Sequence, residues 1–236
     1  MKDGYKYPGE ELAIFEQAYN WKKYFAKYIL PFVGEKVLEV GAGMGTTTIH
    51  LNNNTANEWV LLEPDLKMAE ELKTKTRSGL LPKNCKPVHG TFGNLDQSSR
   101  FDTILYIDVL EHILHDKKEL ETAAGYLKSG GVLVVLSPAF PFLFSPFDKA
   151  IGHYRRYTRH SLSRIRPAGL LTQRMHYLDS IGFFASIANR LLLKQQYPSH
   201  SQVRTWDRFM IPVSKITDVL FFYSFGKSIL GIWKKE

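Results

Sequence analysis

The hydrophobic rhythm of the chain changes near residue 34. Before that point, apolar side chains in "EELAIFEQAYNWKKYFAKYIL" recur three and four residues apart, at Ile14, Ala18, Trp21, Phe25 and Ile29. This period predicts an amphipathic helix over residues 10–30, ended by Pro31. From "KVLEV" onward, short and continuously apolar runs alternate with helical stretches. They predict strands near 36–40, 58–63, 86–89, 102–107 and 131–137. Runs without polar alternation suit strands covered on both faces of a parallel sheet. The fold class expected is α/β: a Rossmann-like, doubly wound, mostly parallel sheet with an N-terminal helix and a helical C-terminal elaboration. Ligands bind such sheets beyond the carboxyl ends of the strands.

Past residue 138 the pattern is softer. "TQRMHYLDS" reads as a sixth strand, and helices are expected from Leu162, over 182–195 and over 206–224. Ser161 is the expected N-cap of the first of these. "GKSILGIWKK" is expected to close the sheet as an edge strand. No linker is evident, so residues 1–236 read as a single domain with an N-terminal helical cap (1–33), a ligand-binding core (34–138) and an elaboration (139–236).

Composition adds an asymmetry. The net charge is +8, yet residues 1–140 hold 16 Lys/Arg against 18 Asp/Glu, whereas residues 141–236 hold 15 against 5. Such a split points to an anionic partner for the second half. Cys85 is the single cysteine, so no intrachain disulfide is possible, which fits a cytoplasmic location. "MKDGYKYPGEELAIF" has no signal-peptide pattern. Pro212, Lys215, Asp218 and Lys227 interrupt the apolar stretch near the C-terminus, which argues against a membrane span.

The chemistry begins at "LEVGAGMGT", which follows a strand and opens a helix. Gly41, Gly43 and Gly45 allow a sharp turn and close approach to a ligand. The loop is not the dinucleotide fingerprint, because Thr46 stands where its third glycine belongs, and it lacks the lysine of a phosphate-binding loop. Glu63 ends the second strand in "LLEPD", where an acid can hold two ribose hydroxyls.

"VLEVGAGMGTTT", "LLEPD", "VHGTF", "FDTILYIDVLEHI" and "LKSGGVLVVLSP", in this order, resemble the successive motifs of class I S-adenosylmethionine-dependent methyltransferases. The resemblance spans roughly residues 34–138. It implies an enzyme that uses S-adenosylmethionine and releases S-adenosylhomocysteine. Gly41, Gly43 and Gly45 would carry the methionine part of that molecule, and Glu63 its ribose. Glu39 would shape the loop, and Asp108 would line the methionine end. The adenine is expected near Thr91 and Phe92, where the acid common in this family is missing.

Asp108 and His112 lie four apart after the fourth strand. A helix starting after Asp108 would place them on one face. His112 is then a candidate base or hydrogen-bond donor toward the acceptor, with His153 as its competitor. Asp108, Glu111, His112 and His115 also offer metal ligands. On an α-helix, however, Glu111 and His112 diverge by about 100°, so no metal is expected.

The segment "FPFLFSPFDKAIGHYRRYTRHSLSRIR" follows the fifth strand. Residues 141–166 hold six Arg/Lys and one Asp, accompanied by Phe140, Phe142, Phe144 and Phe147. Its "D-x-x-x-G-H-Y-R-R-Y" form resembles a segment of bacterial class I methyltransferases acting on small molecules, glycolipids and peptides. Tyr154, Arg155 and Arg156 are the expected acceptor-binding residues, because arginine's fork suits carboxylate or phosphate. The function expected is O-methylation of an anionic acceptor, with a carboxylate of a peptide or small molecule preferred. A sugar or lipid-linked acceptor at a membrane surface is the alternative, and a peripheral membrane contact would go with it. An RNA acceptor is disfavoured, because no appended RNA-binding module is present.

Overall fold

The computed structural model describes residues 6–9, 11–52, 56–190 and 197–236. A seven-stranded sheet organises them. Its strands are β1 (Lys36–Val40), β2 (Glu58–Glu63), β3 (Cys85–His89), β4 (Phe101–Ile107), β5 (Leu127–Pro138), β6 (Leu170–Leu178) and β7 (Ser228–Lys235). The order is β3-β2-β1-β4-β5-β7-β6. The first five strands are parallel to their neighbours, while β7 runs antiparallel to both β5 and β6. The order reverses at β1, so the carboxyl ends of β1 and β4 open the crevice in which such sheets bind ligands.

The C-terminal strand is not at the edge. β7 is inserted between β5 and β6, with Ile229, Leu230, Ile232 and Trp233 fully buried. A strand apolar on both faces belongs inside a sheet. β6 takes the edge, and Leu171–Gln173 near its start are exposed.

The first predicted helix is broken. α1 (Glu11–Phe15) ends, and α2 (Tyr19–Ile29) begins afresh. Asp207, distant in sequence, caps α2 by accepting from the N–H groups of Trp21 at 2.8 Å and Asn20 at 3.1 Å. The Lys22 ammonium donates to the carbonyls of Phe15 and Glu16 at 2.6 and 3.0 Å. The break turns Leu12 and Phe15 toward the carboxyl end of the sheet. A tertiary cap thus overrides a sequence period that ran straight through.

α3 (Thr48–Leu51), α4 (Leu66–Arg77) and α5 (Asp116–Gly125) connect the parallel strands, and the short α6 (Pro146–Ala150) follows β5. α7 (Arg159–Arg164) starts earlier than predicted, because Thr158 rather than Ser161 is its N-cap. α8 (Ser180–Ala188) matches the start of the helix expected over 182–195, of which residues 191–195 lie outside the described ones. The stretch 206–224 divides into a π turn at Trp206–Met210 and α10 (Ile211–Leu220), preceded by α9 (His200–Thr205). Core residues flank both faces of the sheet. Trp21, Phe25 and Ile29 pack with Trp59, Leu61 and Val134 on one face, and Leu120 and Leu162 with Leu38, Leu133 and Trp233 on the other. Among the described residues, no helix is long and apolar enough to cross a membrane.

Candidate active site

A cavity opens at the carboxyl ends of β1 and β4, and its walls come from several separate stretches of chain. The glycine loop, the residues after β4 and the segment from Phe147 to Arg156 form three of them. Tyr7, Leu12 and Phe15 close it from the N-terminal side, and Trp206 and Lys227 from the C-terminal side.

The loop after β1 must turn with left-handed backbone. Gly41 and Gly45 have φ of +64° and +73°. A Cβ on Gly41 would meet Val109 at 2.7 Å, and one on Gly45 would meet Leu72 at 2.9 Å. Around Gly43 there is open space, with Leu12 the nearest atom at 3.9 Å. Glu63 holds the loop: it accepts from the N–H of Gly43 at 2.8 Å and of Asp65 at 2.9 Å. Two bonds leave half of a carboxylate's acceptor capacity free. Burial raises the Glu63 pKa, partly offset by those two N–H donors. Glu39 accepts from Thr48 Oγ1 and Trp59 Nε1, both at 2.8 Å. It is wholly enclosed, and burial pushes its carboxyl up to about 7 against those two bonds. The open loop and the available face of Glu63 fit the methionine and ribose parts of S-adenosylmethionine. Thr91 and Phe92 are not in the cavity wall. Phe92 packs on Tyr126 with ring centres 5.1 Å apart, and the Thr91 N–H is turned to Asn94. Pro64 and Met68 line the cavity beside Glu63 instead.

Beyond β4 the chain departs from the expected helix. Asp108 is left-handed, with φ +53°, and its N–H donates to Leu136 O at 2.8 Å. A left-handed non-glycine residue is strained, and such strain gathers at functional sites. A single 3₁₀ turn, Leu110–His112, follows and ends at an extended Ile113. Asp108 is accessible from the cavity, and the protein crowded around it raises its pKa to about 6 against the pull of His153, Lys227 and Lys22.

Glu111 and His112 do not diverge as an α-helix would make them. Together with His153, each places one donor atom within 4.8 Å of the other two. The His153 Nε2 lies 3.7 Å from Glu111 Oε1, and the rings of His112 and His153 meet edge-on at 4.5 Å. Such a donor set can pass a proton or ligate a divalent ion. The carboxylate of Glu111 is fully buried, and neither oxygen has a hydrogen-bond partner. The Ser137 hydroxyl lies near enough to lower the Glu111 pKa as a hydrogen-bond donor does, but not in the geometry of a formed hydrogen bond. Burial raises Glu111 to about 8, with His153 pulling down and Asp108 pushing up. His112 is lowered to about 3 by burial and by His153, so it is a neutral ring. Burial opposes charge on His153 as well, but the hydrogen bond to Asp148 and the charge of Glu111 outweigh it and raise its pKa.

The arginines of the 152–162 segment are spent on structure. Arg156 is buried and grips Asp148 with two bonds of 2.9 Å. Asp148 also receives His153 Nδ1 at 2.9 Å, and its pKa falls far below the usual carboxylate range even though burial pushes the other way. Arg155 pairs with Asp116 at 2.6 Å and donates to Leu114 O. Tyr154 is exposed, and neither it nor Arg155 lines the cavity. Tyr157 is buried against Asp116 at 2.9 Å. The segment therefore laces itself to α5 and α6. Of its expected chemistry, only His153 and the paired Arg156 reach the cavity. Of the four phenylalanines, Phe147 alone lines it; Phe140 stacks on Tyr177.

Two cations that the sequence did not single out stand in the wall. Lys227 lies over the Trp206 ring, 4.5 Å from its centre, and makes no ion pair among the described residues. Burial lowers its pKa, while Asp179, Asp108 and Asp148 pull it up. Lys22 is the other, lowered to about 8 by burial. A lone lysine at the head of an apolar strand carries no local signal of its role. In the sequence, Glu111 stands out only as a metal ligand beside His112, and nothing local marks it as a proton acceptor.

With this geometry in place, comparison with known proteins gives a consistent answer. A methyltransferase-domain family matches residues 14–183. The demethylmenaquinone methyltransferases of two strains of Tropheryma whipplei are 29% identical over 153 residues, 64% of this chain and 59% of theirs. The chain thus spans less than two thirds of the length of these relatives. An S-adenosylmethionine-dependent methyltransferase from Clostridium acetobutylicum shares the fold, with TM-score 0.60 and 13% identity over 95% of this chain and 97% of its own. A chain from a Haloferax volcanii complex that contains the Trm112 methyltransferase activator aligns with TM-score 0.61 and 13% identity, over 95% and 91%. The protein belongs to the methyltransferase-domain family, and its fold is the one found in S-adenosylmethionine-dependent methyltransferases.

Proposed function

We propose that the protein methylates an oxygen acceptor that must give up a proton, on a molecule with an apolar or aromatic body. The observation that carries this is Glu111, buried and unpartnered beside His153 at the acceptor end of the cavity. A carboxylate acceptor needs no base, and the Asp108 carboxylate, raised only to about 6, would repel it near neutral pH. The carboxylate reading rested on Arg155 and Arg156, which are already paired. Leu12, Phe15, Trp21, Phe147 and Trp206 give the acceptor side an apolar lining.

S-adenosylmethionine supplies a methyl carbon on a positively charged sulfur. The acceptor oxygen forms the new bond in line as the carbon–sulfur bond breaks, and that electron pair stays on sulfur. This chain's residues position the partners and take the proton. Asp148 pins His153 through Nδ1, which leaves Nε2 facing Glu111. The acceptor's proton passes to this Glu111–His153 pair. Lys227 stabilises negative charge developing on the acceptor oxygen. A positioned base of this kind contributes roughly 10²- to 10⁴-fold.

The test pairs aromatic acceptors that differ only in a phenolic hydroxyl or a carboxyl, with release of S-adenosylhomocysteine as readout. Turnover of the hydroxyl compounds is expected, and preference for the carboxyl compounds would overturn the reading. The Glu111, His112 and His153 donors also permit a divalent ion. The proton-relay reading expects unchanged turnover after dialysis against a chelator, whereas loss restored by a divalent ion would reassign the three as ligands.

A further inference from the structure

α10 is built inside out. Its inward residues Ile211, Ser214 and Asp218 are buried, and two of them are polar. Asp218 accepts from the N–H groups of Asp179 and Ser180 at 2.7 and 2.8 Å, and Ser214 donates to Asp179 at 2.8 Å. The inner face therefore serves the capping of α8. Apolar residues occupy the outer face. Phe209, Val213, Ile216 and Leu220, spaced four, three and four apart, form a stripe 62%, 47%, 64% and 65% exposed. Phe222 extends it at the following turn, 84% exposed. A globular helix normally shows the opposite arrangement, and a contiguous exposed apolar face marks an interaction site.

A basic pocket adjoins this stripe. Lys23 and Lys27, one helical turn apart on α2, meet Lys215 of α10 around Tyr24, Tyr28 and Val219. None of the three lysines makes an ion pair among the described residues. Arg204 and Arg208 are exposed nearby, while the acids of the same stretch, Asp207 and Asp218, are buried as caps. Within α2 and residues 204–220, every charged side chain that reaches the surface is basic. Trp206 and Lys227, which line the cavity, flank this same stretch in the chain.

We propose that this face docks the protein peripherally on an anionic phospholipid bilayer. The phosphate headgroup sits in the Lys23–Lys27–Lys215 pocket, and the stripe enters the interfacial acyl region. Apolar residues backed by lysines are the chemistry of interfacial binding. A second copy seated on the same face would bring this basic rim against itself. The inference does not depend on which acceptor is methylated.

The full chain is sedimented at low salt with vesicles of phosphatidylglycerol and phosphatidylcholine, and with phosphatidylcholine alone. Binding to the anionic vesicles is expected, weakening with salt. Each lysine replaced by glutamine should cost roughly fivefold in partition. Ile216→Asp with Leu220→Asp should abolish binding while the affinity for S-adenosylmethionine, measured by calorimetry, stays unchanged and reports an intact fold. No binding by the wild type at low salt, or equal binding by these variants, would overturn the proposal. So would a concentration-dependent dimer, lost in Ile216→Asp, without any vesicle binding. That result would assign the face to a second copy.

Discussion

The loop side of the cavity and its acceptor side use acidic residues in opposite ways. On the loop side, Glu39 and Glu63 each accept two hydrogen bonds and act as fixed parts of the cradle. On the acceptor side, Glu111 is equally buried and accepts none. A buried polar group without a partner is costly, so its retention marks a place where a ligand or a proton is meant to complete the site. The arginines make the complementary point. They give the second half its charge excess, yet Arg156 and Arg155 are consumed by Asp148 and Asp116. Positive charge in a sequence is recognition only where the fold leaves it unpaired, as it does at Lys227.

The sharpest way to break this contrast is Glu111→Gln. It should lower kcat by roughly 10²- to 10⁴-fold and leave the affinity for S-adenosylmethionine unchanged in calorimetry. An equal loss of both would place Glu111 in the cradle with Glu39. The pH profile adds an independent reading. Burial raises Glu111 to about 8, with His153 and Asp108 as the charged groups facing it and His112 neutral beside it. The pair accepts a proton only after losing its own, so kcat should rise with pH through neutrality toward 8. Glu111→Gln should flatten that rise.

Arg156→Ala comes next in size. It strands the buried Asp148 carboxylate and should destabilise the fold by about 3–5 kcal/mol, read from denaturant unfolding. An unchanged midpoint with a raised acceptor KM would return Arg156 to substrate binding. Gly45→Ala should cost about 1–2 kcal/mol through its left-handed backbone alone, and more through the contact with Leu72. Gly43→Ala, also left-handed at φ +55°, adds its Cβ to the open side of the loop and should weaken S-adenosylmethionine binding at least as much, with a smaller loss of stability because no neighbour lies closer than 3.9 Å. Arg155→Ala is the smallest. Its partly exposed pair with Asp116 is worth about 0–1 kcal/mol, and acceptor KM should not move. A severalfold rise in KM would show that Arg155 does reach the substrate.

Much of the donor half was legible before any fold was known. The strands at 36–40 and 58–63 stand where the apolar runs end, and strands 86–89 and 102–107 are off by one residue at their starts. Gly41, Gly43, Gly45, Glu39 and Glu63 come together because the loop and both strands are neighbours in the sheet. The acceptor half resisted. His112 and His153 were identified singly, but their meeting with Glu111 depends on a left-handed Asp108 and a 3₁₀ turn. Neither feature leaves a periodic trace. Tyr154 and Arg155 were misplaced because a sequence shows charges and not their partners. The position of β7 inside the sheet was equally hidden, since strand order is a matter of long-range pairing.

By itself, then, the sequence determined the parallel α/β core and the glycine loop, because hydrophobic period and backbone freedom are local properties. The tertiary structure decided which charges are neutralised, where the chain breaks its helices and which face of α10 meets solvent. Those outcomes depend on partners that no local period pairs: Asp207 with α2 and Asp218 with α8 from far along the chain, and Asp148 with His153 and Arg156 across a turn. Burial then sets the proton affinity of whatever is left without one.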